Sequence, residues 1–174
     1  RYYSQDNFIG QRIDGYAAPK CIITKDAANA LKKVQDELRA FGLGLKVYDA
    51  YRPQRAVDHF VRWAQNLDDT SRKSAYYPNV EKQNLIREGY IAQRSSHSRG
   101  SAVDLTIVAL DAEASQELDM GSPWDFFGPR SWFGSLSVSP SQRAHRMLLQ
   151  TLMIRHGFEP LPEEWWHFKL KDEP

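Results

Sequence analysis

The sequence predicts an α+β fold, a single domain over residues 1–174 with a mainly antiparallel sheet flanked by helices. Three observations lead there. Apolar residues recur at helical spacing in separated stretches, and short β-branched or alternating runs lie between them. No repeat, low-complexity tract or linker divides the chain, and 174 residues is the length of one domain. Hydrophobic residues make up 41% and charged residues 26%, enough for a real core and too apolar for a disordered tail.

Residues 1–23 scatter Gly, Pro and aromatics without a period and read as an irregular arm. Thr24 reads as an N-cap for a helix carrying Ala27, Leu31, Val34 and Leu38, which Gly42 is placed to end. Leu45 to Tyr48 alternates as a strand and runs into Asp49-Ala50-Tyr51. Pro53 suits the first turn of a second helix, whose apolar stripe is Ala56, Val57, Phe60, Val61 and Ala64. Residues 66–79 are polar and turn-rich, and a short third helix is expected over about 80–88. Residues 102–108 form a β-branched, apolar strand. Residues 119–139 make a long loop of the kind that covers a site. Ser139-Pro140-Ser141-Gln142 is a capping-box start for a helix carrying Ala144, Leu148 and Leu152 and stopping at Gly157. Trp166, Phe168 and Leu170 share one face of a closing strand.

The charge balance, 23 Lys plus Arg against 22 Asp plus Glu, argues against a nucleic-acid partner. No apolar run approaches the roughly 18 residues of a membrane span. Cys21 is the only cysteine, which excludes an intramolecular disulfide and a cysteine-rich zinc site. The compartment stays open between cytoplasm and periplasm; a leader removed ahead of Arg1 would favour the periplasm.

Three clusters carry chemistry. His97 and Asp104 stand seven positions apart with Gly100 as a bend between them, Glu164-Trp165-Trp166-His167 lies near the end, and Arg52 sits at a strand-to-helix junction. His97, Asp104 and His167 make a His₂-carboxylate set that suits catalytic zinc, leaving a fourth position for water. Glu164 would be the general base, and Arg52 would stabilise the oxyanion of an attacked carbonyl. Because 164 and 167 have opposite parity, both reach one metal only if Glu164 sits in a turn before the strand, beside Pro162. Singly, each residue also fits a bland reading: a hydrogen-bonded histidine, a turn cap, a surface ion pair, core tryptophans. His59, His145 and His156 lack a partner at ligand spacing and read as structural or solvated. Ser95, Ser96 and Ser98 invite a serine-hydrolase reading, but the G-x-S-x-G elbow is missing.

Taken together, Ser-x-His-x-x-Gly-x-Ala-x-Asp and Glu-x-x-His resemble the signature of the zinc D,D-peptidases related to D-alanyl-D-alanine carboxypeptidases. The strings at 49–57, 95–106 and 164–167 are similar to the D-Ala-D-Ala dipeptidase branch, which includes the VanX enzymes of vancomycin resistance. The likeness covers nearly the whole chain. It implies the zinc D,D-peptidase or Hedgehog-like fold, one zinc ion (Zn2+) per chain on His97, Asp104 and His167, Glu164 as base and acid, and Arg52 on the scissile carbonyl oxygen. It further implies that Ser95 helps to hold the substrate carboxylate, that Asp125 pairs with the free ammonium, and that Tyr2 contributes to the pocket. The substrate implied is the small dipeptide D-Ala-D-Ala, with loop 119–139 as a lid. Residues 127–138 are more apolar than the acidic, histidine-containing stretch usual in that branch. A D,D-carboxypeptidase or endopeptidase on peptidoglycan stem peptides is the alternative enzyme, and a non-catalytic zinc module the alternative class. Glu164 and Arg52 together count against the module, since a structural zinc needs neither.

Overall fold

Thr24 caps the first helix through its side chain, which accepts from the Ala27 amide, and α1 (Lys25–Arg39) buries the expected Ala27, Leu31, Val34 and Leu38. The structure, a computed structural model, describes residues 1–110 and 116–173. Gly42, at φ 70°, turns the chain into β1 (Leu43–Asp49). Helix α2 (Gln54–Gln65) follows with Pro53 at its cap, burying Ala56, Val57, Phe60, Trp63 and Ala64. The expected third helix over 80–88 is only a 3₁₀ turn, Lys82–Asn84, while the preceding polar stretch supplies a single-turn helix, α3 (Lys73–Tyr76). Local turn chemistry outweighs helix propensity here, because no apolar face of useful length exists for either piece.

Strand β2 (Ala102–Ala109) is buried along nearly its whole length. Beyond the loop, α4 (Pro140–Arg155) opens with the reciprocal capping box of Ser139 and Gln142, at 3.2 and 2.8 Å. Its buried face is Arg146, Leu149, Leu152 and Met153; Ala144, expected inside, is exposed. Gly157, at φ 90°, then leads into β3 (Phe158–Leu161), a strand that periodicity did not reveal, and β4 (Glu164–Leu170) closes the chain.

The four strands form one antiparallel sheet in the order β1-β2-β4-β3. Val103, Leu105 and Ile107 of β2 and Phe168 of β4 point into the main core, where α1 packs on β1 and α4 on β3 and β4. The residues between them, Asp104 and Thr106, face the other way, and a polar pair in so apolar a strand marks a second, functional face. That face is walled by the N-terminal arm, which is ordered rather than loose. Asn7 folds it, donating to the carbonyls of Ser4 and Gln11 and accepting from the amides of Ile9 and Gly10, so that Tyr2, Phe8, Ile9 and Ile13 are buried.

Loop 119–139 is held from beneath. Arg146 is 1% exposed and donates to three loop carbonyls, Met120 at 2.6 Å, Trp132 at 2.7 Å and Arg130 at 2.9 Å. Burial lowers this guanidinium to about 10. Truncating it would take the donor from three carbonyls, and the buried one, that of Met120, would cost about 1–3 kcal/mol. Arg146→Ala is therefore expected to lower unfolding stability by about 1–3 kcal/mol in urea titrations. It should also open residues 119–139 to proteolysis. Parental stability would mean that the carbonyls find other partners.

Candidate active site

Cross-strand register assembles the centre. Residues directly opposite in antiparallel strands share a face, and Asp104 stands opposite His167 of β4 and opposite Asp49 of β1. The second pairing requires an irregularity between Val47 and Asp49, which moves Asp49 onto the polar face. His97 comes from the 3₁₀ turn Ser96–Arg99 just before β2. Ser95 caps that turn, its hydroxyl accepting from the His97 amide at 3.3 Å, and Gly100 at φ 87° ends it.

His97 Nδ1 donates to the Ala50 carbonyl at 2.8 Å, which leaves Nε2 as the nitrogen turned inward. Nε2 lies 3.1 Å from His167 Nδ1 and 3.2 Å from Asp104 Oδ1, and the last two are 3.0 Å apart. Donors about 2.0–2.1 Å from a tetrahedral ion stand about 3.3 Å apart, so this triangle fits one such cation. Among the described residues it is the one group of His, Cys, Asp and Glu side chains arranged to hold a metal. On the far side of each of these side chains sits a second partner. His167 Nε2 lies 3.3 Å from the Ser96 hydroxyl, and Asp104 Oδ2 is 3.4 Å from both Arg52 Nη2 and Trp124 Nε1. Burial alone would raise the Asp104 carboxyl, yet His97 and His167 hold it far below the ordinary carboxylate range.

Glu164 does not sit in a turn, as parity had required, but is the first residue of β4. The register of β3 with β4 jumps from Pro160↔Phe168 to Leu161↔Glu164, leaving residues 165–167 without partners on β3. This bulge cancels the alternation and brings Glu164 Oε2 to 4.0 Å from His167 Nδ1. Desolvation in the cavity wall pushes the Glu164 carboxyl up to about 7, against the lowering pull of His167.

Arg52 is anchored at Nε, which donates to Asp49 Oδ2 at 2.9 Å, and its guanidinium lies over the rings of Tyr2 and Phe60 at 5.2 and 5.3 Å. Asp125 is buried in left-handed backbone (φ 60°), and its carboxyl accepts from the Tyr2 hydroxyl at 2.8 Å. Burial, reinforced by Asp104, pushes that carboxyl well above the ordinary range.

All eight residues singled out from the sequence, Tyr2 and Ser95 included, line one cavity of about 380 Å³. Loop 119–139, the expected lid, contributes Asp125 and Phe127 to the lining, while residues from the 89–96 and 159–161 segments form much of the rest of the wall. His59, His145 and His156 lie elsewhere, bonded to the Asp14 amide, the Asp119 carbonyl and the Glu37 carboxylate. Sequence reasoning missed Tyr16, Asp49, Ser96 and Trp124. Asp49, three residues before Arg52, and Trp124, beside Asp125, were within reach of a spacing argument.

Residues 1–174 match the model of peptidase family M15, described as D-ala-D-ala dipeptidase. The chain is 43% identical over its full length to the D-alanyl-D-alanine dipeptidase of Enterococcus faecalis, covering 85% of that protein. It is 40% identical to the Enterococcus faecium enzyme of the same name, with the same coverage. To the Escherichia coli enzyme it is 36% identical over 98% of this chain and 76% of that one. On this full-length match the chain belongs to the D-ala-D-ala dipeptidase family of metallopeptidases.

Proposed function

We propose that this protein is a zinc-dependent dipeptidase that hydrolyses D-Ala-D-Ala to two D-alanines. The observation that carries the reading is that one cavity joins the His97–Asp104–His167 triangle and Glu164 to the buried carboxyl of Asp125. Zinc held by the triangle supplies Lewis acidity for the scissile carbonyl and acidifies the attacking water toward neutral pH. Every other part of the task falls to side chains.

Glu164 takes the proton of the attacking water on its carboxylate and passes it to the leaving amine. Its elevated affinity for protons suits both halves of that exchange. Arg52, permanently charged, donates to the carbonyl oxygen as it gains negative charge. Asp125 pairs with the substrate ammonium, with the Tyr2 hydroxyl as a second contact on its carboxyl. Ser95, beside the metal turn, helps to hold the free carboxylate. A dipeptide offers few contacts, so recognition falls on its two charged ends. A blocked or longer peptide would leave Asp125 desolvated without its cation, a penalty that supplies discrimination.

The test is hydrolysis of D-Ala-D-Ala by the zinc-quantified protein, set against L-Ala-L-Ala and an acyl-D-Ala-D-Ala. Cleavage confined to the free D,D-dipeptide is expected; preference for the blocked peptide would move the protein to the carboxypeptidases. Zinc bound without cleavage of any of them would favour the binding module. Glu164→Ala is expected to abolish turnover while zinc content stays at the parental level. Turnover near the parental rate would show that another group is the base.

Asp125 gives a pH prediction. Burial favours the neutral form of its carboxyl, and pairing with an ammonium favours the ionised form. Binding then releases a proton, so KM falls as pH rises toward neutrality while the ammonium stays charged. Asp125→Asn should raise KM and flatten this dependence. An unchanged KM profile in that variant would remove Asp125 from substrate binding.

A further inference from the structure

Arg52 has four rotatable side-chain bonds, yet an oxyanion donor works only if it is held in place before charge develops. The structure places one buried carboxylate behind it. Asp49 is 5% exposed; its Oδ2 accepts from Arg52 Nε at 2.9 Å and its Oδ1 accepts from the Tyr16 hydroxyl at 2.7 Å. Tyr16 fixes Asp49, Asp49 fixes Nε, and the adjacent rings of Tyr2 and Phe60 both lie against the guanidinium from one side. Of the two terminal nitrogens, Nη2 lies 3.4 Å from Asp104 Oδ2, while Nη1 has no hydrogen-bond partner among the described residues.

We propose that Asp49 is a positioning residue for the reaction: it holds Arg52 by Nε so that Nη1 stays free for the developing oxyanion. Without it, the Arg52 cation would lose its nearest counter-charge and swing toward Asp104, the only other carboxylate paired with it among the described residues. That movement would spend the oxyanion donor on a metal-ligand candidate. Asp49 also stands 3.7 Å from His97 Nδ1, but that nitrogen already donates to the Ala50 carbonyl at 2.8 Å, so the direct claim on Asp49 is that of Arg52.

The inference rests on the dipeptidase reading, and its test separates the two. Asp49→Ala is expected to lower kcat on D-Ala-D-Ala about 100-fold, the loss typical of a displaced oxyanion donor, with KM changed less than about threefold. Zinc content should match the parent. Asp49→Asn, which keeps an acceptor for Nε, should recover at least about tenfold of that loss. In an Arg52→Ala background, Asp49→Ala should cost less than about threefold more, because its effect runs through Arg52. Tyr16→Phe, a milder change, should lower kcat in the same direction by a smaller factor. Independently of activity, the Arg52 Nε–H resonance should exchange slowly with water in the parent and be lost to fast exchange in Asp49→Ala. A parental kcat in Asp49→Ala, fully additive losses, loss of zinc, or an unchanged Nε–H resonance would each overturn the proposal. If the parent does not cleave D-Ala-D-Ala, the functional reading falls, and the resonance alone still decides whether Asp49 holds Arg52.

Discussion

The centre depends on where Asp104 falls in the sheet. It is the one acidic residue of the central strand β2, it stands opposite Asp49 on one side and His167 on the other, and its two oxygens face different tasks. One meets the histidine nitrogens; the other meets Arg52 and Trp124. Strand alternation makes this an all-or-nothing arrangement. A slip of one residue would turn Asp104 into the core and present Val103 or Leu105 to the cavity. The apolar residues of β2 therefore set the position of a charge as much as they supply burial.

Holding that charge in a dry interior demands compensation, and the surrounding residues are arranged to give it. Asp104 and Asp125 line one cavity with Arg52, and buried Asp49 lies behind that guanidinium. Asp104 stays ionised because two imidazoles face it, whereas Asp125, with only the Tyr2 hydroxyl on its carboxyl, is driven toward the neutral acid. Two aspartates on one cavity wall are thus given opposite proton affinities by their neighbours. The arm bearing Tyr2 and Phe8 completes the enclosure and keeps water from weakening these contrasts.

Much of this was legible in the sequence, for reasons that are local. The caps at Thr24 and Ser139, the helical stripes of α1 and α2 and the β-branched run of β2 each declare themselves within a dozen residues. The His97–Asp104–His167 triangle was legible as a set of donor types that could hold one cation. What stayed hidden depends on contacts distant in sequence. Arg146 reads as a solvated helix residue until the three carbonyls it meets are known. Strand β3 is four residues long and contains Pro160, and residues 80–88 fold as turns for want of an apolar face. The arm looked irregular because one buried amide, Asn7, does the work of secondary structure there.

The bulge beneath Glu164-Trp165-Trp166-His167 bears on how portable that motif is. On a helix, residues three apart meet as neighbours by geometry alone. On a regular strand they point to opposite faces, so the four residues carry no metal-site geometry of their own. The convergence belongs to two strands jointly, since it comes from how Phe158–Leu161 pairs around the unpartnered stretch. A grafted copy of the motif would need both strands, and changes in the β3 hairpin partner would retune Glu164 without touching it.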